Sequence, residues 1–147
     1  MGTLASGALA AKGMPTIWQT ELALGGIHLG DSKKSILEKL GEPLSSDNPT
    51  EIKTPNATYP GLTVVFNEGG NTVGSIRSAS PKYCTPSGVC PGMPFSKAQA
   101  AYSAIHILGR PDNKTFAAYF GSQQSCRLTF EVEQGLIKAL GASCLPW

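Results

Sequence analysis

The clearest alternation of apolar and polar positions falls between residues 62 and 76. Leu62-Thr63-Val64-Val65-Phe66 and Thr72-Val73-Gly74-Ser75-Ile76 are β-branched runs on either side of Asn67-Glu68-Gly69-Gly70-Asn71, a pattern that predicts a hairpin turning on its Gly-Gly pair. Period-two spacing puts Leu62, Val64 and Phe66 on one side, which is the side expected to pack. Cys126-Arg127-Leu128-Thr129-Phe130-Glu131-Val132 and Leu136-Ile137-Lys138-Ala139-Leu140 flank Glu133-Gln134-Gly135 and predict a second, closing hairpin. Thr115–Phe120 reads as one more strand, along which Tyr119 and Phe120 point to opposite faces.

Helical spacing appears twice. Asp31 or Ser32 caps a helix in which Ile36, Leu37 and Leu40 share one face while Lys33, Lys34, Glu38 and Lys39 meet water. Gly41 supplies the left-handed residue after it, and Pro43 prevents continuation. Phe95, Ala98, Tyr102 and Ile105 then recur at i, i+3, i+7 and i+10, predicting a second, longer helix that holds His106 and ends at Leu108-Gly109-Arg110-Pro111. Between these signals, Trp18–Leu29 reads as an extended lead-in that packs Trp18 on the core. Residues 44–61 read as a long Ser/Asn/Pro connection with a short strand at Glu51–Thr54.

Both halves therefore run helix, connection, hairpin. Gly30 aligns with Gly92, Leu40-Gly41-Glu42-Pro43 with Leu108-Gly109-Arg110-Pro111, and Leu62–Phe66 with Cys126–Phe130. A period of about 60 residues is too long for a solenoid and suggests two copies of one α/β unit whose hairpins share a sheet. The divisions are a tail at 1–17, a first module at 18–80 and a second at 81–147, the modules forming one compact unit. The Gly before a capped helix, the Leu-Gly-x-Pro stop and the Val-Val-Phe hairpin resemble the modules of SmpA/OmlA (BamE)-type envelope-assembly lipoproteins. Two such modules in tandem resemble the β-lactamase inhibitor protein superfamily. The resemblance implies an α+β fold of two tandem helix-plus-hairpin modules, with helices on one face of a shared antiparallel sheet and a binding surface on the other, concave face. No lipobox cysteine stands near the start of this sequence, so the resemblance gives no ground to claim lipid anchoring for it.

Composition narrows the compartment more than the activity. Hydrophobic residues make up 41% of the 147 and charged ones 15%, enough apolar material for a real core. A net charge of +2, with no basic cluster beyond Lys33-Lys34, argues against nucleic acid or an anionic membrane as partner. No run of eighteen apolar residues occurs, so a transmembrane segment is not expected. Ala8-Leu9-Ala10 before Ala11 looks like the small-x-small end of a secretory signal, although too few residues precede it for a full leader; a plain Ala/Gly-rich tail fits the composition as well. Cys84, Cys90, Cys126 and Cys144 lack the tight Cys-x-x-Cys spacing and adjacent histidines of a zinc site. They read as two disulfides, with Cys84–Cys90 and Cys126–Cys144 favoured because a turn or a hairpin brings each pair together. A periplasmic or secreted protein follows.

Candidate chemistry is sparse. His28 and His106 stand in no metal or triad motif, and no His-Glu-x-x-His, Gly-x-Ser-x-Gly or phosphate loop occurs. Asp31, Asp47 and Asp112 sit in cap or turn contexts that use their side chains. Cys84 and Cys90 as a redox pair are the sharpest enzymatic alternative, but their spacing is unlike the one that activates a thiol. Asn56-Ala57-Thr58 and Asn113-Lys114-Thr115 match the glycosylation sequon, a cheap match without meaning in a bacterial periplasm. Aromatics remain: Phe66 belongs to the core by alternation, while Tyr59, Tyr119 and Phe120 are the candidate partner contacts, with Trp147 at the end. The expectation is a non-catalytic exported protein, without metal or cofactor, that binds and neutralises an envelope enzyme or toxin. The alternatives are an envelope-assembly accessory, a binder of a small ligand or cell-wall fragment and, third, a hydrolase with an unrecognised site. Peptide mapping without reductant should recover Cys126 linked to Cys144 and Cys84 to Cys90; a free thiol in exported material would overturn the compartment argument.

Overall fold

The structure is a computed structural model that describes residues 17, 19–46, 56–102, 105–108, 114–120 and 125–145. A short hairpin, β1 (Ala23–Leu24) and β2 (Ile27–His28), leads into α1 (Lys33–Leu40). Four strands follow: β3 (Ser45–Ser46), β4 (Asn56–Tyr59), β5 (Leu62–Phe66) and β6 (Val73–Ser78). The second half repeats that order, with α2 (Phe95–Ala101) before β7 (His106–Ile107), β8 (Thr115–Phe120), β9 (Cys126–Glu133) and β10 (Leu136–Cys144).

Strands β3 to β10 make one antiparallel sheet in the order β3-β4-β5-β6-β10-β9-β8-β7. Each half is a four-stranded meander, and the two meet through their last strands. The fold class is therefore α+β, dominated by a mixed-length antiparallel sheet. The predicted hairpins are β5–β6 and β9–β10; the latter turns on Gln134 and Gly135, both at positive φ (54° and 80°), as a tight two-residue loop requires.

One local device fixes each helix to its hairpin. Gly30 N–H donates to the Val73 carbonyl, Val73 N–H returns a bond to Asp31, and Lys33 N–H at the start of α1 reaches Asn71. In the second half Gly92 donates to Ile137, Ile137 to Met93, and Phe95 at the start of α2 to Gly135. Gly30 and Gly92 have nearly the same φ, 91° and 96°, in the left-handed range that glycine tolerates best.

Alternation on β4, β5, β6, β8, β9 and β10 sends Ala57, Tyr59, Leu62, Val64, Phe66, Ile76, Ala118, Leu128, Phe130, Leu140 and Ala142 into one core with Leu24, Ile27, Ile36, Ala98 and Tyr102. Phe95 stacks at 4.4 Å on Phe116, and Tyr102 lies 5.8 Å from Phe130. Lys33 of α1 sits over the Phe66 ring. Both helices thus lie on the same side of the sheet. Ser32 caps α1 by accepting the Ser35 N–H, and Gly41 closes it with a bond to Leu37.

Three expectations change. The second helix stops at Ala101, and Tyr102 is its extended C-cap. Ile105 lies beyond it and His106-Ile107 are strand, because that segment pairs with Ala117 and Phe116 of β8, and strand pairing outweighs a helical period carried by one further apolar residue. Leu108 therefore does not end a helix; Gly109–Pro111 lie outside the described residues. Leu37 is 40% exposed although Ile36 is fully buried, since neighbours on a helix diverge by about 100°. The strand expected at Glu51–Thr54, the turn at Asp47-Asn48-Pro49, and Trp18 and Trp147 also fall outside the described residues.

A Cβ at Gly30 or Gly92 would meet nothing within 4 Å, so only the backbone conformation resists substitution. Gly30→Ala and Gly92→Ala should each destabilise by about 1–2 kcal/mol. Urea unfolding should give nearly equal losses; clearly unequal ones would show that the two turns do different work.

Candidate functional site

The sheet's other face follows from strand register. Across β4, β5, β6, β10, β9, β8 and β7 one row reads Thr58, Thr63, Arg77, Gly141, Thr129, Ala117 and His106. The adjacent row reads Asn56, Val65, Ser75, Ser143, Arg127 and Tyr119. These residues alternate with the inward Val64, Ile76, Ala142, Leu128 and Ala118, so they point away from the helices, although Ala117 in the outer row is itself fully buried. Among the described residues, α1, α2 and the β1–β2 hairpin all pack on the opposite side.

Short side chains occupy the middle of this face, and that has a geometric cause. Arg77 on β6 reaches across β10 to Glu131 on β9, its Nε donating to Oε2 at 3.1 Å and Nη2 to Oε1 at 2.9 Å. The strand crossed carries Gly141 opposite Arg77 and Ala139 opposite Glu131, leaving the path clear. A Cβ at Gly141 would come within 2.5 Å of Thr129 Oγ1. Both ends of the ion pair are over a third exposed, so its stability is worth at most about 1 kcal/mol; its effect is to hold two long side chains in one pose. The Glu131 hydrogen bonds, chiefly, raise the Arg77 pKa further.

The aromatic candidates divide. Tyr59 is a core residue, 4% exposed, with its hydroxyl donating to the Gly41 carbonyl at 3.0 Å. It pairs with Leu62 in the inward row, so it does not present a partner contact. Burial, then the Glu42 and Tyr83 charges, raise its pKa. Tyr119 lies half-buried on the face turned away from the helices, 6.0 Å from the His106 ring. Phe120 is half-buried on the helix side, in register with Cys126, which in turn pairs with Cys144. The residues that sequence reading overlooked are Arg77, Glu131, Arg127 and Thr129. Their signal lies in the alternation with Ile76, Leu128 and Phe130, which turns them outward whether or not they are aromatic.

Cys84–Cys90 and Cys126–Cys144 are bonded, and no described cysteine is free. Next to the second disulfide a cavity of about 440 Å³ opens between the Gln19–Gly30 segment and the ends of β6, β8, β9 and β10. Leu22, Leu29, Val73, Phe120 and the two cysteines line it, with Gln19, Thr20, His28 and Asn67 as its polar members. His28 and His106 are both exposed and belong to separate surfaces. Among the described residues no group of three His, Cys, Asp or Glu is placed to hold a metal.

A buried polar cluster ties the first disulfide loop to α2. Tyr102 Oη donates to Glu21 Oε1 at 2.7 Å and lies 2.8 Å from Thr85 Oγ1. Val89 N–H also bonds Thr85 Oγ1, so the Cys84–Cys90 loop, the lead-in and the helix share one set of partners.

Neither a known protein family nor a curated protein matches this chain. Two solved structures are similar to it. An extracellular protein containing an SCP domain, from Bacillus anthracis str. Ames, aligns with 80% of this chain and 44% of its own at 11% identity and a TM-score of 0.47. A DUF4309 family protein (YjgB) from Bacillus subtilis subsp. subtilis str. 168 aligns with 81% of this chain and 82% of its own, at 12% identity and the same TM-score, 0.47. This chain thus spans less than half the length of the first and most of the second.

Burial raises the Tyr102 pKa above its ordinary 10.0, with the Glu21 bond and charge adding to it and the Thr85 bond opposing. The folded tyrosine stays protonated where the unfolded one ionises, so its contribution is full below about pH 10 and is lost as pH rises beyond that. The fall in melting temperature between about pH 9 and about pH 11 should be shallower in Tyr102→Phe than in the native chain. An identical slope would exclude Tyr102 as its source.

Proposed function

We propose that the chain is a non-catalytic exported protein of two tandem α/β modules, which holds another protein against the sheet face turned away from its helices and blocks it. The partner is an envelope enzyme or toxin, an inhibitor or immunity role that the likeness to SmpA/OmlA-type and β-lactamase-inhibitor modules suggests. The strand order, symmetric about β6–β10, and the backbone bonds common to Gly30 and Gly92 support the tandem reading. Two disulfides fit a secreted or exported protein, and no helix among the described residues is long and apolar enough to cross a membrane.

One observation carries the binding role: the sheet face turned away from the helices joins short, stiff side chains with a few anchored long ones. Thr58, Thr63, Ser75, Thr129 and Ser143 have little rotamer freedom to lose, and Arg77 is already held by Glu131. A partner therefore meets a surface whose ordering cost is low, with Tyr119 and Arg127 of the type that dominates interfaces. Non-catalysis is supported by the two exposed histidines, which sit on separate surfaces, and by cysteines that are all committed to disulfides.

A photoreactive phenylalanine analogue placed at Thr63 or Thr129 should crosslink one discrete partner in the producing cell. The same probe at Glu38 or Lys97, on the helices, should not. Ser143→Arg should reduce the adduct at least about tenfold while leaving the circular dichroism spectrum unchanged. Adducts formed only from the helix side would reject this face.

A further inference from the structure

We propose that the cavity beside the Cys126–Cys144 disulfide binds a neutral, polyhydroxylated ligand with one apolar face, the chemistry of a pyranose ring. Its volume, about 440 Å³, falls in the range of small-ligand pockets. Its position separates it from the sheet face discussed above, because Phe120, Cys126 and Cys144 form a register row on the helix-bearing side. The two sites are independent.

The ligand class follows from the lining. Among the described lining residues there is no Asp, Glu, Lys or Arg, so a charged ligand would lose water without gaining a counter-charge. A hydrocarbon chain fails for the opposite reason. Gln19, Thr20 and His28 have side chains that bond to no protein group among the described residues, and covering them with an acyl chain would leave them without water as well. A sugar meets both demands. Its hydroxyls match the amide of Gln19, the Thr20 hydroxyl and the imidazole of His28, while its C–H face matches the half-buried Phe120 ring and the buried Leu22 and Val73.

The walls are fixed before any ligand arrives. Gly30 N–H bonds the Val73 carbonyl at 2.8 Å, Asn67 Nδ2 donates to Thr72 Oγ1 at 3.0 Å, and the disulfide joins the strand ends behind Phe120. Asn67 is also held where a side chain at Gly74 would collide with its Oδ1. A preformed cavity costs little to occupy.

Calorimetric titration with maltose, cellobiose and N,N′-diacetylchitobiose tests the assignment, with cellobiouronate and deacetylated chitobiose as charged controls of the same size. At least one neutral disaccharide should bind with a Kd on the order of 1 mM, and the charged sugars should bind more weakly. Gln19→Ala and His28→Ala, both at exposed positions, should each weaken binding about fivefold at unchanged melting temperature, and Lys97→Ala should not. The proposal is overturned if no neutral sugar binds at about 20 mM, if charged sugars bind as tightly, or if Gln19→Ala and His28→Ala leave binding intact.

Discussion

The pairing of β6 with β10 is the constraint on which the rest depends. Leu140 meets Ser78, Gly141 meets Arg77, Ala142 meets Ile76 and Ser143 meets Ser75. Without these pairs each meander would end on an exposed edge, and the inward residues of the two halves would belong to separate, thinner cores. On the β10 side of the seam Gly141, Ala142 and Ser143 are small, and this suits both faces of the sheet. On the inner side Ala142 leaves room for β1, whose Ala23 and Leu24 are almost fully buried over β6 and β10. Ser78, also inside, is buried but satisfied, since its hydroxyl donates to the Tyr83 carbonyl at 2.9 Å. On the outer side Gly141 lets Arg77 reach Glu131. One row of short side chains thus permits a covered core on one surface and a smooth face on the other.

Legibility in the sequence tracked how much of each element was specified by its own residues. The β5–β6 and β9–β10 hairpins were plain because their strands alternate and their turns contain glycine. Linking Cys126 to Cys144 followed from the same hairpin, and the structure sets those two residues directly opposite each other. The end of α2 was not plain. Phe95, Ala98 and Tyr102 keep a helical period, and Ile105 continues it by coincidence, whereas the strand identity of His106-Ile107 is decided by pairing with β8, the next strand of the chain. Tyr59 was misplaced for a related reason. Its strand lies in a turn-rich stretch, and only pairing with β5 reveals that it alternates inward with Ala57.

The candidate sites were less legible than the fold, and differently so. Each face residue was available from alternation once its strand was known, but Arg77 and Glu131 are 54 positions apart in the chain, and nothing local announces that they meet. The cavity is harder still. Its polar members Gln19, Thr20 and His28 belong to the lead-in, while Phe120, Cys126 and Cys144 belong to the far half. Such a site exists only through tertiary packing, because each contributor looks ordinary in its own segment. Phe120 lines the cavity on the side of the sheet opposite to Tyr119.

The Cys126–Cys144 bond ties together two residues that are already register partners at the open end of β9–β10, while Gln134 and Gly135 close the other end. That hairpin is therefore a ladder fastened at top and bottom, and the strand it shares with the first half cannot fray from the C-terminal side. In hydrogen exchange, amides along β10 would open only with the whole hairpin, whereas the singly turned β5–β6 ladder can peel from its ends. Closing a loop of 18 residues also restricts the unfolded chain by about 3 kcal/mol in the entropy treatment. The second half thus serves as the rigid template on which the first half's last strand is laid, and a reducing environment would loosen the molecule from its middle rather than from its ends.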